Sequence, residues 1–276
     1  MKRFVLFLLL MLVLAGLLAV CCYQPGPPAT QSAKLPATSG PTHEHRPHIY
    51  AGLPRPTRPM VVKVLRNIGY VVGYSEERRD PLWAAYRLFR TADPQTHPRP
   101  SRFRIDDRTE ARVRHEDFVG SGYDRGHMAP NYGIDVCYGR GAQLETFLMS
   151  NVCPQLAKLN QGLWQELEMT VARDYANRFE EVWIVTGPIF EDQPNKLTCG
   201  VHVPGAFYKI VVDEKDGGPR MLAFILPQSP EPGETLKALL VSVDAVERQT
   251  GLDFFHELED ELEQKLETET PSALWN

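Results

Sequence analysis

From residue 60 onward the apolar positions fall into short runs separated by turn-forming residues. Val61–Leu65, Gly69–Tyr74 and Leu82–Phe89 are rich in Val, Tyr and Trp, and each predicts a strand. Leu163, Leu167, Val171 and Tyr175 recur at a helical interval and predict one helix from Leu159 to about Arg178, with Trp164 turned toward the core. Val182–Thr186 predicts a buried strand closed by Gly187-Pro188, and Ala206–Val212 and Met221–Leu226 predict two more. Ser242 is placed to cap a helix running to about Thr250, and Gly251 to end it. Leu258, Leu262 and Leu266 mark a last amphipathic helix with an acidic outer face. Strands first, a helix between, then strands and helices give an α+β domain.

The N-terminal pattern is different. Lys2 and Arg3 precede an unbroken apolar run from Phe4 to Val20, which predicts a signal peptide or membrane anchor over residues 1–23. Leu18-Ala19-Val20-Cys21 resembles a lipoprotein cleavage site, although Val20 is larger than such a site favours. The expectation is an exported protein, periplasmic or extracellular, secreted, membrane-anchored or lipid-anchored. Residues 24–59 are rich in Pro, Ser, Thr and Gly and cannot bury enough apolar surface to offset their ordering entropy. They predict a tether, with residues 60–276 forming the folded domain.

Composition narrows the picture only slightly. The 276 residues are 43% hydrophobic and 24% charged, which suits one well-cored domain with additional segments. Lys and Arg total 30 against 35 Asp and Glu, a formal net charge of -5, which argues mildly against a polyanion as partner. Much of the acid lies between Glu257 and Glu269, whereas Arg99–Arg125 is Arg-rich. Outside the leader the cysteines are Cys137, Cys153 and Cys199, leaving room for one pair and a free thiol or for no pair. They lack the spacing of a zinc site.

Two segments carry the chemistry. The first is Gly120-Ser121-Gly122-Tyr123-Asp124-Arg125-Gly126-His127-Met128-Ala129-Pro130-Asn131, read as a glycine-rich loop. His127 offers a base for taking a proton from water, with an ordinary pKa near 6.5 below which the rate falls. Asp124 and Arg125 offer an acceptor and a donor to fix the imidazole or hold a phosphate. The second segment runs from Ser150-Asn151-Val152-Cys153-Pro154-Gln155 to Asn160, Trp164 and Glu168, which are four apart and share a helical stripe. An Asn and a Glu two turns apart suit a hard cation that keeps most of its waters, as Mg²⁺ does.

"SGYDRGHMAPN" and "SNVCPQLAKLNQGLWQELE" resemble the DNA/RNA non-specific endonuclease family, the ββα-metal (His-Me finger) nucleases that include endonuclease G. The resemblance extends through "GYVVGYS", "YRLFR", "WIVTGPIF" and "VERQTGLDFF". It implies a mainly antiparallel central sheet flanked by helices, with DNA and RNA as partners. It also implies Mg²⁺ as cofactor, with Mn²⁺ as a substitute, and products ending in 5′-phosphate and 3′-hydroxyl. By the same resemblance His127 is the general base, Asn160 the direct metal ligand, and Glu168 a group that binds and orients the metal's waters. Asn151 supports the His geometry or the phosphate, and Arg125 supports the site. An upstream Arg meets the scissile phosphate, Arg99 by its spacing to Phe103, with Arg102 and Arg104 as alternatives. Homodimerisation is left open. The competing functions are a non-catalytic nucleic-acid binder on this fold, which has no need of His127, Asn160 and Glu168 together, and a phosphodiesterase for small molecules.

Overall fold

Strand-forming runs joined by short turns pair with their sequence neighbours, and most of the sheet is built this way. The computed structural model describes residues 48–214 and 218–275. A two-residue β1 (Arg55–Pro56) is followed by β2 (Lys63–Arg66), β3 (Tyr70–Ser75) and β4 (Asp80–Phe89). A long irregular stretch leads to β5 (Asp124–His127), α1 (Asn131–Thr146) and β6 (Val152–Gln155). Two short helices follow, α2 (Ala157–Asn160) and α3 (Leu163–Met169), continued by a π-helical turn (Thr170–Tyr175) and α4 (Ala176–Arg178). The chain then returns to the sheet as β7 (Glu181–Ile189), β8 (Ala206–Glu214) and β9 (Pro219–Pro227). It ends with β10 (Leu240–Val241), α5 (Val243–Thr250), β11 (Leu252–Asp253) and α6 (Asp260–Thr268).

Seven strands form one sheet in the order β10-β9-β8-β7-β4-β3-β2, every pair antiparallel. Both faces are covered, so the central strands are near-continuous apolar runs with little alternation. Ala84, Tyr86, Val182, Ile184, Phe207, Val211, Leu222 and Phe224 face one core, shared with Ile134, Trp164, Leu167 and Tyr175. Trp83, Ala85, Trp183, Val185, Ile210 and Val212 face the other, shared with Val243, Val246 and Phe254. Burying two apolar layers on one sheet makes this the α+β architecture expected, with the short β5–β6 ribbon held apart from the main sheet.

Several expectations change. The fold takes in residues assigned to the tether: Tyr50 is buried in the second core and β1 pairs with β11. A Pro-rich segment can pair at an edge, where few of its N–H groups are needed. The expected signal peptide or anchor lies outside the described residues, and among those no helix is long and apolar enough to cross a membrane. β7 runs through Gly187-Pro188 to Ile189 and does not stop before them. A Cβ at Gly187 would overlap the Leu82 carbonyl, so the glycine marks a close strand approach and not an end. The single helix expected from Leu159 is broken at Gly162, where a Cβ would overlap the Lys158 carbonyl oxygen, and widens into a π-turn after Met169. By contrast, Ser242 Oγ accepts the Ala245 N–H at 3.2 Å and Gly251 ends α5 with φ 69°, as the caps predict. Cys137, Cys153 and Cys199 are all free thiols.

Candidate active site

The DRGH segment is a strand, not a loop. Its register against β6 sets Asp124 opposite Gln155, Gly126 opposite Cys153 and His127 opposite Val152. Gly126 leaves room for the buried Gln155 side chain, which a Cβ there would displace. α2 and α3 follow β6 directly, so two strands and a helical segment bring the two sequence motifs together around a cleft of about 390 Å³. Arg99, Arg125, His127, Asn160 and Glu168 all line it, with Asp124, Asn131 and Gln165.

His127 is buried between two aromatic rings, Phe103 at 5.0 Å and Phe147 at 4.9 Å between centroids. Trp164 Nε1 donates to its carbonyl at 3.3 Å, which fixes the backbone from below. Burial, and then the nearby Arg99 cation, push the imidazole pKa down to about 3. The ring is therefore neutral at any physiological pH. This corrects the expected value near 6.5, and the cause is the aromatic enclosure, which sequence spacing does not reveal.

Asn151 does not line the cleft. It is fully buried, and its Oδ1 accepts the Ala129 N–H at 2.9 Å while its Nδ2 donates to the carbonyls of Ala129 and Thr146. Its own carbonyl accepts the Met128 N–H. Of the two roles expected of it, the arrangement suits the first: it holds the turn that follows His127 and does not line the cleft.

Asp124 and Arg125 are used otherwise than the sequence suggests. Asp124 Oδ2 accepts from Asn160 Nδ2 at 2.9 Å and from Gln161 Nε2 at 2.8 Å. Arg125 donates from Nε and Nη2 to the His115 carbonyl, and its guanidinium lies over the Phe118 ring. Neither bonds the imidazole. Of the three upstream arginines only Arg99 lines the cleft, its guanidinium 5.2 Å above the Phe147 ring. Arg102 pairs with Glu116, and Arg104 donates to the Leu144 carbonyl.

The cleft floor holds polar atoms without protein partners. His127 Nε2, Asn131 Oδ1 and Glu168 Oε1 are each buried and unbonded. Because Asn160 Nδ2 is committed to Asp124, its Oδ1 is the end left for a ligand. Orphaned oxygens from an Asn and a Glu, with a second Asn beside them, form an all-oxygen donor set that fits a hard divalent cation.

Behind Glu168 stands a residue that motif reading missed. Lys209 is fully buried on β8, its Nζ 4.3 Å from the Trp164 ring and 3.3 Å from Tyr86 Oη. Burial pushes the Glu168 carboxyl pKa up and the Lys209 cation pulls it back, while burial pushes Lys209 down. The signal was a single cation inside an otherwise apolar strand, Ala206-Phe207-Tyr208-Lys209-Ile210-Val211-Val212.

The family model for the DNA/RNA non-specific endonucleases matches residues 50–261. A mitochondrial nuclease EXOG of Xenopus laevis is 33% identical over 210 residues, covering 70% of this chain and 58% of that protein. A mitochondrial endonuclease G of Bos taurus is 30% identical over 247 residues, covering 82% and 79%. Among solved structures, one of an EndoG/EndoGI complex superposes with a TM-score of 0.65 at 27% identity, covering 74% of this chain and 89% of that one. The mitochondrial names of these relatives overturn the expectation of export. A basic head before an apolar run is a targeting pattern, and its hydrophobicity alone does not name the compartment. With the motifs, the fold and the match in agreement, the chain belongs to the DNA/RNA non-specific endonuclease family.

Proposed function

We propose that the protein is an endonuclease that hydrolyses phosphodiester bonds of DNA and RNA with Mg²⁺, using His127 as general base. The observation that carries this reading is the meeting of a neutral, buried imidazole with orphaned Asn and Glu oxygens and Arg99 in one cleft.

A phosphodiester resists attack because its charge repels nucleophiles and its leaving alkoxide is poor. Neutral His127 accepts the proton as water attacks phosphorus, and its aromatic enclosure keeps it ready without a prior deprotonation. Arg99 faces the phosphate oxygens and offsets their charge. Asn160 Oδ1, Glu168 and Asn131 Oδ1 would hold the cation, with Asp124 fixing the amide of Asn160 and Lys209 opposing the upward push of burial on the Glu168 pKa. Mg²⁺ bound there, or Mn²⁺ in its place, stabilises charge on the phosphate and the leaving 3′ oxygen. The products are 5′-phosphate and 3′-hydroxyl ends. Recognition through phosphate, and not through base edges or the 2′-hydroxyl, would make the cleavage indifferent to sequence and sugar.

The test is nicking of supercoiled plasmid and degradation of RNA by the purified protein with Mg²⁺, beside EDTA and His127→Ala controls. Activity toward both polymers that disappears in both controls is the expected result. Full activity in EDTA, or in His127→Ala, would overturn the assignment.

A further inference from the structure

Away from the cleft, the C-terminal helices carry a cluster that the nuclease chemistry does not use. Asp244 and Glu247 lie three apart on α5 and so share a face. Glu267 reaches them from the last turn of α6, and one ligating oxygen from each lies within 4.8 Å of the other two. None of the three lines the cleft.

Acidic clusters are common on surfaces, but Glu267 is not a surface group. It is only 6% exposed, and its buried Oε1 has no hydrogen-bond partner among the described residues. Its neighbours cannot satisfy it. Glu247 Oε1 already accepts the Phe254 N–H at 2.8 Å, and Arg248 stands 3.8 Å from Asp244, exposed and on the same helix. A buried carboxylate facing two others is costly unless a cation joins them.

The geometry points to a second metal site, in which Asp244, Glu247 and Glu267 bind a large hard divalent cation of the Ca²⁺ class and pin α6 against α5. The three oxygens all lie within 4.8 Å of one another, which leaves room for one divalent cation between them, and a set of three carboxylates suits Ca²⁺, which takes many oxygen ligands in flexible geometry. Mg²⁺ keeps several of its waters and is usually held by one or two carboxylates. The ion's role is structural, since it joins α5 to α6 away from the cleft.

The test uses the full chain, stripped with EDTA and desalted at pH 8, and titrated with Ca²⁺ alone by calorimetry and by thermal unfolding. Asn160→Ala removes a ligand of the cleft, so binding there and binding at the helices separate. Asn160→Ala is expected to keep one Ca²⁺ and the Ca²⁺-induced rise in unfolding temperature. Glu267→Gln is expected to weaken that ion at least tenfold and abolish the rise, while keeping its nuclease activity with Mg²⁺. Because Gln carries no charge to bury, Glu267→Gln in EDTA should unfold no earlier than the wild type, which shows that it folds. Asp244→Asn, at a partly exposed position, is a second variant expected to lower Ca²⁺ affinity in the same way. Wild-type levels of Ca²⁺ binding and stabilisation in Glu267→Gln and Asp244→Asn, or their loss in Asn160→Ala, would overturn the proposal.

Discussion

Asn160 donates its amide N–H to Asp124 at 2.9 Å, and this one bond decides which end of the Asn side chain faces the cleft. The acid of the DRGH strand thus orients the candidate metal ligand across the junction with α2. Asp124→Ala should lower cleavage about 10–100-fold, the usual effect of removing a group that orients a ligand. The loss should sit mainly in a higher Mg²⁺ concentration for half-maximal rate, and a Mg²⁺ titration of both proteins checks it.

His127→Ala should reduce turnover by about 10²–10⁴-fold, the range of a lost general base, with DNA affinity little changed. Single-turnover cleavage beside an equilibrium binding measurement separates the two.

The pH profile follows from burial. His127 has its pKa lowered to about 3, so it stays an unprotonated base as pH falls from 8 to 5 and contributes no loss of rate in that window. Glu168 is pushed the other way, so protons compete with the cation for its carboxylate as pH falls. The acid limb of the rate should therefore move to lower pH as Mg²⁺ is raised, and vanish above pH 5 at saturation. A limb near pH 6.5 that ignores Mg²⁺ would identify the imidazole as the titrating group and refute the buried reading.

Lys209→Met should shift that same limb to higher pH. Removing the buried cation leaves burial to raise the Glu168 pKa unopposed, so the carboxyl holds its proton further into the neutral range. At limiting Mg²⁺ the variant should lose more activity at pH 6.5 than at pH 8.5, as parallel rate profiles would show.

Asn151→Ala removes three hydrogen bonds from a fully buried site and leaves the Ala129 and Thr146 groups unpaired. The cost is about 3 kcal/mol, or roughly 6–12 °C in unfolding temperature for a domain of this size. Thermal unfolding checks it. Asn151→Asp should be little better, since a carboxylate accepts from Ala129 but cannot donate to either carbonyl.

How far the sequence could be read depended on whether the signal was local. Ser242 and Gly251 mark α5 because capping is decided within a few residues. The strands are legible as apolar runs, while their ends are not, since Gly187-Pro188 is tolerated inside β7 by its neighbours. α1 went unread because Gly133, Gly139 and Gly141 weaken both propensity and periodicity; Gly139, at φ 78°, kinks it. In the site, motif residues are readable because their types and order are specific. The environment of His127 is not, since Phe103 and Phe147 reach it from distant parts of the chain. Lys209 belongs to no motif, and only its burial on the sheet beside Trp164 reveals it.

The three unpaired thiols within the domain carry a consequence for where such a chain can work. Cys153 is wholly enclosed, and burial raises its pKa well above that of an ordinary thiol, so it packs as a small apolar group and resists oxidants. Among the described residues the architecture rests on packing and hydrogen bonds, with no covalent staple to be formed or lost. The fold of the described residues then needs neither an oxidant nor a disulfide isomerase, and a reducing medium removes nothing that holds it together.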